Sequence, residues 1–356
     1  MNEKPDAPTS SPVTPPALHA ALPEPLEAKE NDAGRRLDRI LRKHFPAFPL
    51  SFINRLLREK KVRVNGKARD GAYRVASGDV ITVTRAAQSP VPISPPVRPV
   101  AQREKPAPSG PALRIVYEDD DLLVVDKPMG LLTHGLLTHS NKDGEESLAS
   151  RVSAYLADRI PASLSFRPGP LHRLDRNTSG LVVFGKSLKG ARFFTHATQQ
   201  GLVKKQYLAL VCGTIEQEEV WEDFLVRDQE TRKTRAARPG EPAKRAVTRI
   251  RPLEAGEGGT LIEAEISSGK THQIRVQCAL HGHPLCGDKK YGGAPRHGGS
   301  FLRAYKIVIE TDGETRAWRA SREWIMVNGK LKMIEGERPS SKESPFGAND
   351  PAFTPP

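Results

Sequence analysis

The sequence predicts an α+β fold, a mixed, mainly antiparallel sheet with flanking helices, preceded by a small N-terminal α/β domain. Three observations carry this. Short β-rich runs are interrupted by only isolated helical segments, which favours α+β over regular βαβ winding. A Pro-rich stretch over residues 86–112 divides the chain. Charge is also uneven: Lys and Arg exceed Asp and Glu by 13 in all, and Arg35 to Arg85 alone holds 14 basic and 4 acidic residues.

Taken in order, residues 1–33 are rich in Pro and Ala, with little apolar periodicity, and are expected to be a disordered tail because they cannot bury enough surface to offset the entropy of ordering. Leu37, Ile40 and Leu41 recur at helical spacing, and Ile53, Leu56 and Leu57 repeat the pattern after the Phe45-Pro46-Ala47-Phe48-Pro49 break, predicting two short helices. Val62-Arg63-Val64 alternates and then meets Asn65-Gly66, a strong hairpin signal. Val80 to Val83, entered through Ser77-Gly78-Asp79, reads as the closing strand of a domain over residues 34–85. Residues 86–112 read as a semi-extended linker.

The larger domain, residues 113–335, opens as strand, acidic turn, strand: Ile115 to Tyr117, Glu118 to Asp121, Leu122 to Val125. Further β-rich runs are Gly180 to Phe184, Gln206 to Val211, Ala246 to Ile250 and Leu261 to Ile266; Leu148 to Ala157, Ala191 to Gln200 and His272 to His281 read as helical. Residues 336–356 are expected to be a second disordered tail.

No run of about 18 apolar residues and no charged-then-apolar leader is present, so a cytoplasmic protein is expected. Cys212, Cys278 and Cys286 are odd in number and lack Cys-x-x-Cys spacing, which argues against a disulfide framework and a structural zinc site. The basic N-terminal block points to a polyanionic partner, the alternative being a merely solvated surface. The default oligomeric state is monomer.

Two short basic helices followed by Val62 to Gly66 and Ser77 to Ile81 resemble the alpha-L RNA-binding domain of a small-subunit ribosomal protein, over about Arg35 to Thr84. The resemblance implies that Arg55, Arg58, Lys60, Lys61 and Arg63 present cations to RNA phosphates. Such contacts position a protein and carry little sequence information. A basic helical hairpin that binds a protein is the alternative.

In the larger domain five segments follow one another: Asp119 to Gly130, His172-Arg173-Leu174-Asp175-Arg176-Asn177-Thr178-Ser179-Gly180, Lys205 to Val211, Gly269 to Arg275, and Gly282 to Asp288. Together they resemble the RluA family of RNA pseudouridine synthases, and with the alpha-L domain in front the likeness is closest to the large-subunit ribosomal RNA members. It covers roughly Arg35 to Glu335 and implies the pseudouridine synthase fold, RNA as partner, and no cofactor or metal.

The implied reaction breaks the uridine bond from C1′ to N1, turns the uracil over and joins C5 to the same sugar carbon. It needs an ionised carboxylate beside C1′ or C2′, acting as nucleophile or base. By resemblance Asp175 is that carboxylate, Arg275 its paired cation, and Tyr207 the ring that stacks on the uracil. A base within a helix must first be flipped out, at a cost of a few kcal/mol. Arg173 matches the residue that enters the vacated space; His172, Lys127 and Lys270 complete the expected substrate contacts, with His172 shaping the loop and not transferring a proton. The family usually carries Arg at Lys270 and His or a similar residue at Gln277, and Lys lacks the planar fork of Arg. Leu136 to Glu146 resembles an insertion beside the Lys127-Pro128 loop.

Ser268-Gly269-Lys270-Thr271 imitates a phosphate loop, but Ala264 stands where the spacing demands the earlier Gly. His281-Gly282-His283 suggests a metal pair without a third ligand. Two rival functions remain at this level. A non-catalytic RNA-binding or ribosome-assembly factor would most simply have lost Asp175, Tyr207 or Arg275. A nucleoside or glycoside hydrolase needs a second carboxylate about 5–10 Å from Asp175, and no motif nominates one.

Overall fold

The computed structural model describes residues 24–46, 48–84, 112–135, 146–256, 258–294, 300–311, 313–321, 324–327 and 330–333. The expected linker at 86–111, the tail at 336–356 and the insertion at 136–145 lie outside them. The described chain forms two compact units.

The first unit carries strand β1 (Leu26–Glu27), helices α1 (Leu37–His44) and α2 (Leu50–Arg58), and strands β2 (Val62–Val64), β3 (Lys67–Ala68) and β4 (Val80–Val83) in the order β1-β4-β2-β3. Leu37, Ile40 and Leu41 of α1 meet Ile53 and Leu56 of α2 over Val62, Val64 and Ile81. At the β2–β3 turn Asn65 and Gly66 both take positive φ, 50° and 74°, as a tight hairpin requires. One correction concerns the tail expected over residues 1–33. Leu26 and Glu27 pair with Ile81 and Val80, and Ala28 and Asp32 are fully buried. Ser163–Ser165 also belongs to this unit: the Asp32 carboxylate accepts hydrogen bonds from the Ser163 and Ser165 hydroxyls and from the Leu164 and Ser165 amides. A strand edge and the hydrogen-bond donors for a buried carboxylate, both supplied from distant sequence, order residues whose local composition gives no such sign.

The second unit runs β5 (Arg114–Glu118), β6 (Leu122–Lys127), α3 (Leu148–Leu156), β7 (Gly169–Pro170), β8 (Ser179–Gly185), α4 (Leu188–Gln199), β9 (Val203–Val211), β10 (Glu219–Arg227), β11 (Thr234–Ala236), β12 (Lys244–Gly256), β13 (Gly259–Ile266), α5 (Gln273–Leu280), β14 (Leu302–Thr311) and β15 (Glu314–Arg319), then a separate hairpin of β16 (Trp324–Val327) and β17 (Lys330–Met333). The main sheet has the order β11-β10-β12-β13-β9-β14-β8-β6-β5, with β7 beside β8 and β15 beside β14. Every pair is antiparallel except β14 with β8. This is the mixed, mainly antiparallel sheet expected.

Strands β6 and β8 are buried along their whole length because helices cover both faces. Leu123, Val125, Val182 and Phe184 join a core that includes Leu148, Val152 and Leu156 of α3 and Ile274 and Cys278 of α5. Leu122, Val124, Leu181 and Val183 face the other way, toward Phe194 and Ala197 of α4. At the parallel crossing Gly180 takes φ 110°, and a Cβ there would lie 2.1 Å from the Ala304 carbonyl oxygen. Gly180→Ala is expected to lower stability by ~3 kcal/mol, read by chemical denaturation; an unchanged unfolding midpoint would refute the crowding.

Candidate active site

Asp175 lies on the loop from β7 to β8, and its neighbours on both sides are fastened to the segment after β6. Thr133 Oγ1 accepts from the Leu174 amide at 3.1 Å and donates to the Leu174 carbonyl at 2.9 Å. The Arg176 carbonyl accepts from the Gly130 amide and from Lys127 Nζ. Leu174 itself is buried in the core. These bonds present Asp175 at the mouth of a cavity lined by Arg173, Thr178, Tyr207, Lys270, His272 and Arg275.

Arg275 comes from α5, which is fixed to the sheet by two buried glutamines four residues apart. Gln273 donates to the Val247 carbonyl and Thr248 Oγ1. Gln277 accepts from Thr248 Oγ1 at 2.6 Å and donates to Asp223 Oδ2 at 2.8 Å. The glutamine that departs from the expected histidine is thus a completely buried anchor of the helix. On the opposite side, Arg275 gives Nε and Nη2 to the two oxygens of Asp288, at 2.7 and 2.8 Å, and Nη1 to Asp175 Oδ2 at 3.2 Å. Burial works against its charge, but the bonds and charge of Asp288, then those of Asp175, outweigh it and raise its pKa.

His272 caps α5 in the left-handed region, φ 56°, and places Nε2 3.5 Å from Asp175 Oδ2. Both contacts to the carboxylate fall on Oδ2; among the described residues Oδ1 has no hydrogen-bond partner. Burial, set partly against the nearby Asp175 charge, lowers the pKa of His272 to about 4, so the ring is neutral at neutral pH. Tyr207, on β9, is 7% exposed, and burial followed by the Asp175 charge raises its pKa, which keeps the hydroxyl protonated.

Asp175, Arg275, Tyr207, Arg173 and Lys270 therefore line one cavity. Two residues expected to contact substrate, Lys127 and His172, are not among the residues that line it. Lys127 is fully buried, its ammonium donating to the carbonyls of Pro128, Leu131 and Arg176. His172 stacks on Phe194 and accepts the Val183 amide hydrogen at Nε2. Both bond to the Asp175 loop or to the strand that follows it, and for Lys127 only its neighbours in space reveal it. In the first unit Arg58, Lys60 and Arg63 are exposed and Arg55 and Lys61 half-buried on α2 and the following hairpin; Arg55 lies over the Phe52 ring and Lys61 pairs with Glu59. Sequence reasoning gave no role to His272 or Asp288, although both stand in quoted motifs, and passed over Thr133 and Tyr291, which carry no local signal. His281 pairs with Asp223 and stacks on Trp221, while His283 bonds the Cys212 carbonyl; no cluster of metal ligands occurs among the described residues.

Burial, then the charge of Lys205, depresses the His172 pKa to about 3. That lies below the ordinary histidine value, so the unfolded chain binds the extra proton first and stability falls as pH drops from about 6.5 toward 3. His172→Gln, which keeps an acceptor for Val183, is expected to flatten the stability loss between about pH 7 and pH 5 by up to ~1.4 kcal/mol per pH unit. Urea titrations at the two pH values read it, and parallel losses in both proteins would contradict a neutral His172.

The model for RNA pseudouridylate synthase matches residues 121–280, and that for the S4 domain matches residues 35–81. Ribosomal large subunit pseudouridine synthase C of Vibrio cholerae is 33% identical over 276 residues, spanning 75% of this chain and 80% of that protein. Ribosomal large subunit pseudouridine synthase D of Neisseria meningitidis is 35% identical over 277 residues, spanning 78% and 67%. Among solved structures, human RNA pseudouridylate synthase domain containing 1 aligns with a TM-score of 0.46 at 26% identity, covering 60% of this chain and 84% of that one. With the synthase model spanning Asp175, Tyr207 and Arg275, and a third of residues identical over three quarters of the chain, this protein belongs to the RNA pseudouridine synthase family and is an isomerase that carries an S4 domain ahead of its catalytic domain.

Proposed function

We propose that the protein isomerises specific uridines of large-subunit ribosomal RNA to pseudouridine, with Asp175 acting on a uridine flipped out of its helix. The observation that carries this is the placement of Asp175, its Oδ2 held by Arg275 and its Oδ1 without a partner among the described residues, in one cavity with Tyr207. The C1′–N1 bond breaks, C5 bonds to C1′, C5 gives up its proton and N1 gains one, so nothing is oxidised or hydrolysed. Attack on C1′ and proton removal at C2′ both use this carboxylate from the sugar side. Tyr207 supplies a flat ring for the uracil, and the exposed Arg173 a cation for the gap in the helix. Arg55, Arg58, Lys60, Lys61 and Arg63 give the S4 domain a phosphate-facing surface. The target follows the relatives named for the large ribosomal subunit.

Pseudouridine mapping in cells lacking the protein tests the target. The expected result is loss of one or more sites in large-subunit ribosomal RNA, restored by the wild-type chain. Loss confined to transfer RNA would refute the target while leaving the reaction standing.

A further inference from the structure

Tyr291 contributes nothing to the reading above, yet it touches both groups that hold Asp175. It follows Asp288 by three residues, in the turn after the last of the five segments. Its hydroxyl lies 2.7 Å from His272 Nδ1, and its ring lies under the Arg275 guanidinium, 5.2 Å from centroid to Cζ. The ring also packs against Leu225, Ala246 and Val276, so its place is set by the sheet and by α5.

The hydrogen-bond logic of this contact is directional. The Thr234 amide donates to the Tyr291 oxygen at 3.0 Å. With that lone pair taken, the phenol proton is available to His272 Nδ1. A neutral imidazole that accepts at Nδ1 carries its proton on Nε2, and Nε2 is the atom facing Asp175 Oδ2. The opposite tautomer would set a nitrogen lone pair against a carboxylate oxygen. The left-handed backbone of His272, a conformation disfavoured for its side chain, is what brings the ring between Tyr291 and Asp175.

We propose that Tyr291 is a positioning residue for Asp175: its hydroxyl fixes His272 in the tautomer that donates to Oδ2, and its ring supports Arg275, so that two donors hold one carboxylate oxygen and leave Oδ1 for the sugar. The proposal rests on Asp175 being the acting carboxylate. At 3.5 Å the His272 contact is long, as catalytic contacts often are before substrate binds.

The test uses the full chain. Tyr291→Phe keeps the ring under Arg275 and removes the hydroxyl, and His272→Asn keeps a residue that tolerates the left-handed region while removing both ring nitrogens. Each is expected to lower kcat about tenfold to a hundredfold, the scale of a small displacement of a reacting group, with KM and RNA affinity unchanged. The double variant is expected to be no slower than the slower single one, because both remove the same contact. Ring ¹⁵N spectra, with the His272 signal assigned by its loss in His272→Asn, are expected to show the Nε2–H form in the wild type and a mixture in Tyr291→Phe. An Nδ1–H form in the wild type, wild-type kcat in Tyr291→Phe, or multiplying losses in the double variant would each overturn the proposal. If Tyr291→Phe does not fold, the wild-type tautomer still decides. Asp175→Asn separates the two readings: if it is inactive while Tyr291→Phe is fully active, only the positioning role fails, whereas an active Asp175→Asn removes the reading on which it rests.

Discussion

Asp175→Asn is expected to abolish tritium release from RNA labelled at uracil C5, lowering the rate by roughly 10²–10⁴ while RNA binding and folding persist. The substitution preserves shape and still offers Arg275 Nη1 an oxygen to bond, so the loop keeps its fastening through Thr133 and Lys127. What is lost is the negative charge, and an amide neither attacks C1′ nor removes a proton from C2′ at a useful rate. The S4 domain, matched over residues 35–81, does not contain this residue. Release at the wild-type rate would sink the assignment of Asp175.

Arg275→Met is expected to combine lost catalysis with lost stability. The arginine neutralises two carboxylates at once, and the Asp288 side chain is only 2% exposed. Removing one partner of a buried ion pair costs ~3–5 kcal/mol, because the remaining charge stays desolvated. Asp288 then loses both guanidinium bonds and Asp175 its cation, so the orientation of Oδ2 is lost. Tritium release is expected to fall at least about a hundredfold, with RNA binding retained and the melting temperature lowered. Arg275→Lys is not expected to rescue, since a single ammonium cannot serve the Asp288 fork and Asp175 together. Weakened RNA binding with a normal catalytic rate would count against the pairing.

Much of the architecture was legible because it is written in local spacing. The helix α3, the all-buried strands β6 and β8, and the Asn65-Gly66 hairpin are each encoded within a dozen residues. Strand β14 was missed for a physical reason: Arg303, which reads as a surface residue, is fully buried and bonded at 2.7 Å to Asp126 of β6. Strand β10 was missed because Asp223 breaks its alternation, and that carboxylate is occupied by Gln277 and His281.

By itself the sequence determined the α+β class and the family resemblance and nominated the carboxylate at its centre, because the motif that carries the resemblance is a contiguous nine-residue loop. Only the tertiary structure decided what surrounds the carboxylate. Arg275 is 100 positions from Asp175, and the structure brings it there together with Asp288, His272 and Tyr291. It also gives Lys127 and His172 bonds that fasten the loop and its following strand. A charged or polar side chain acquires its role from burial and from its partners, and both are set by residues distant in sequence.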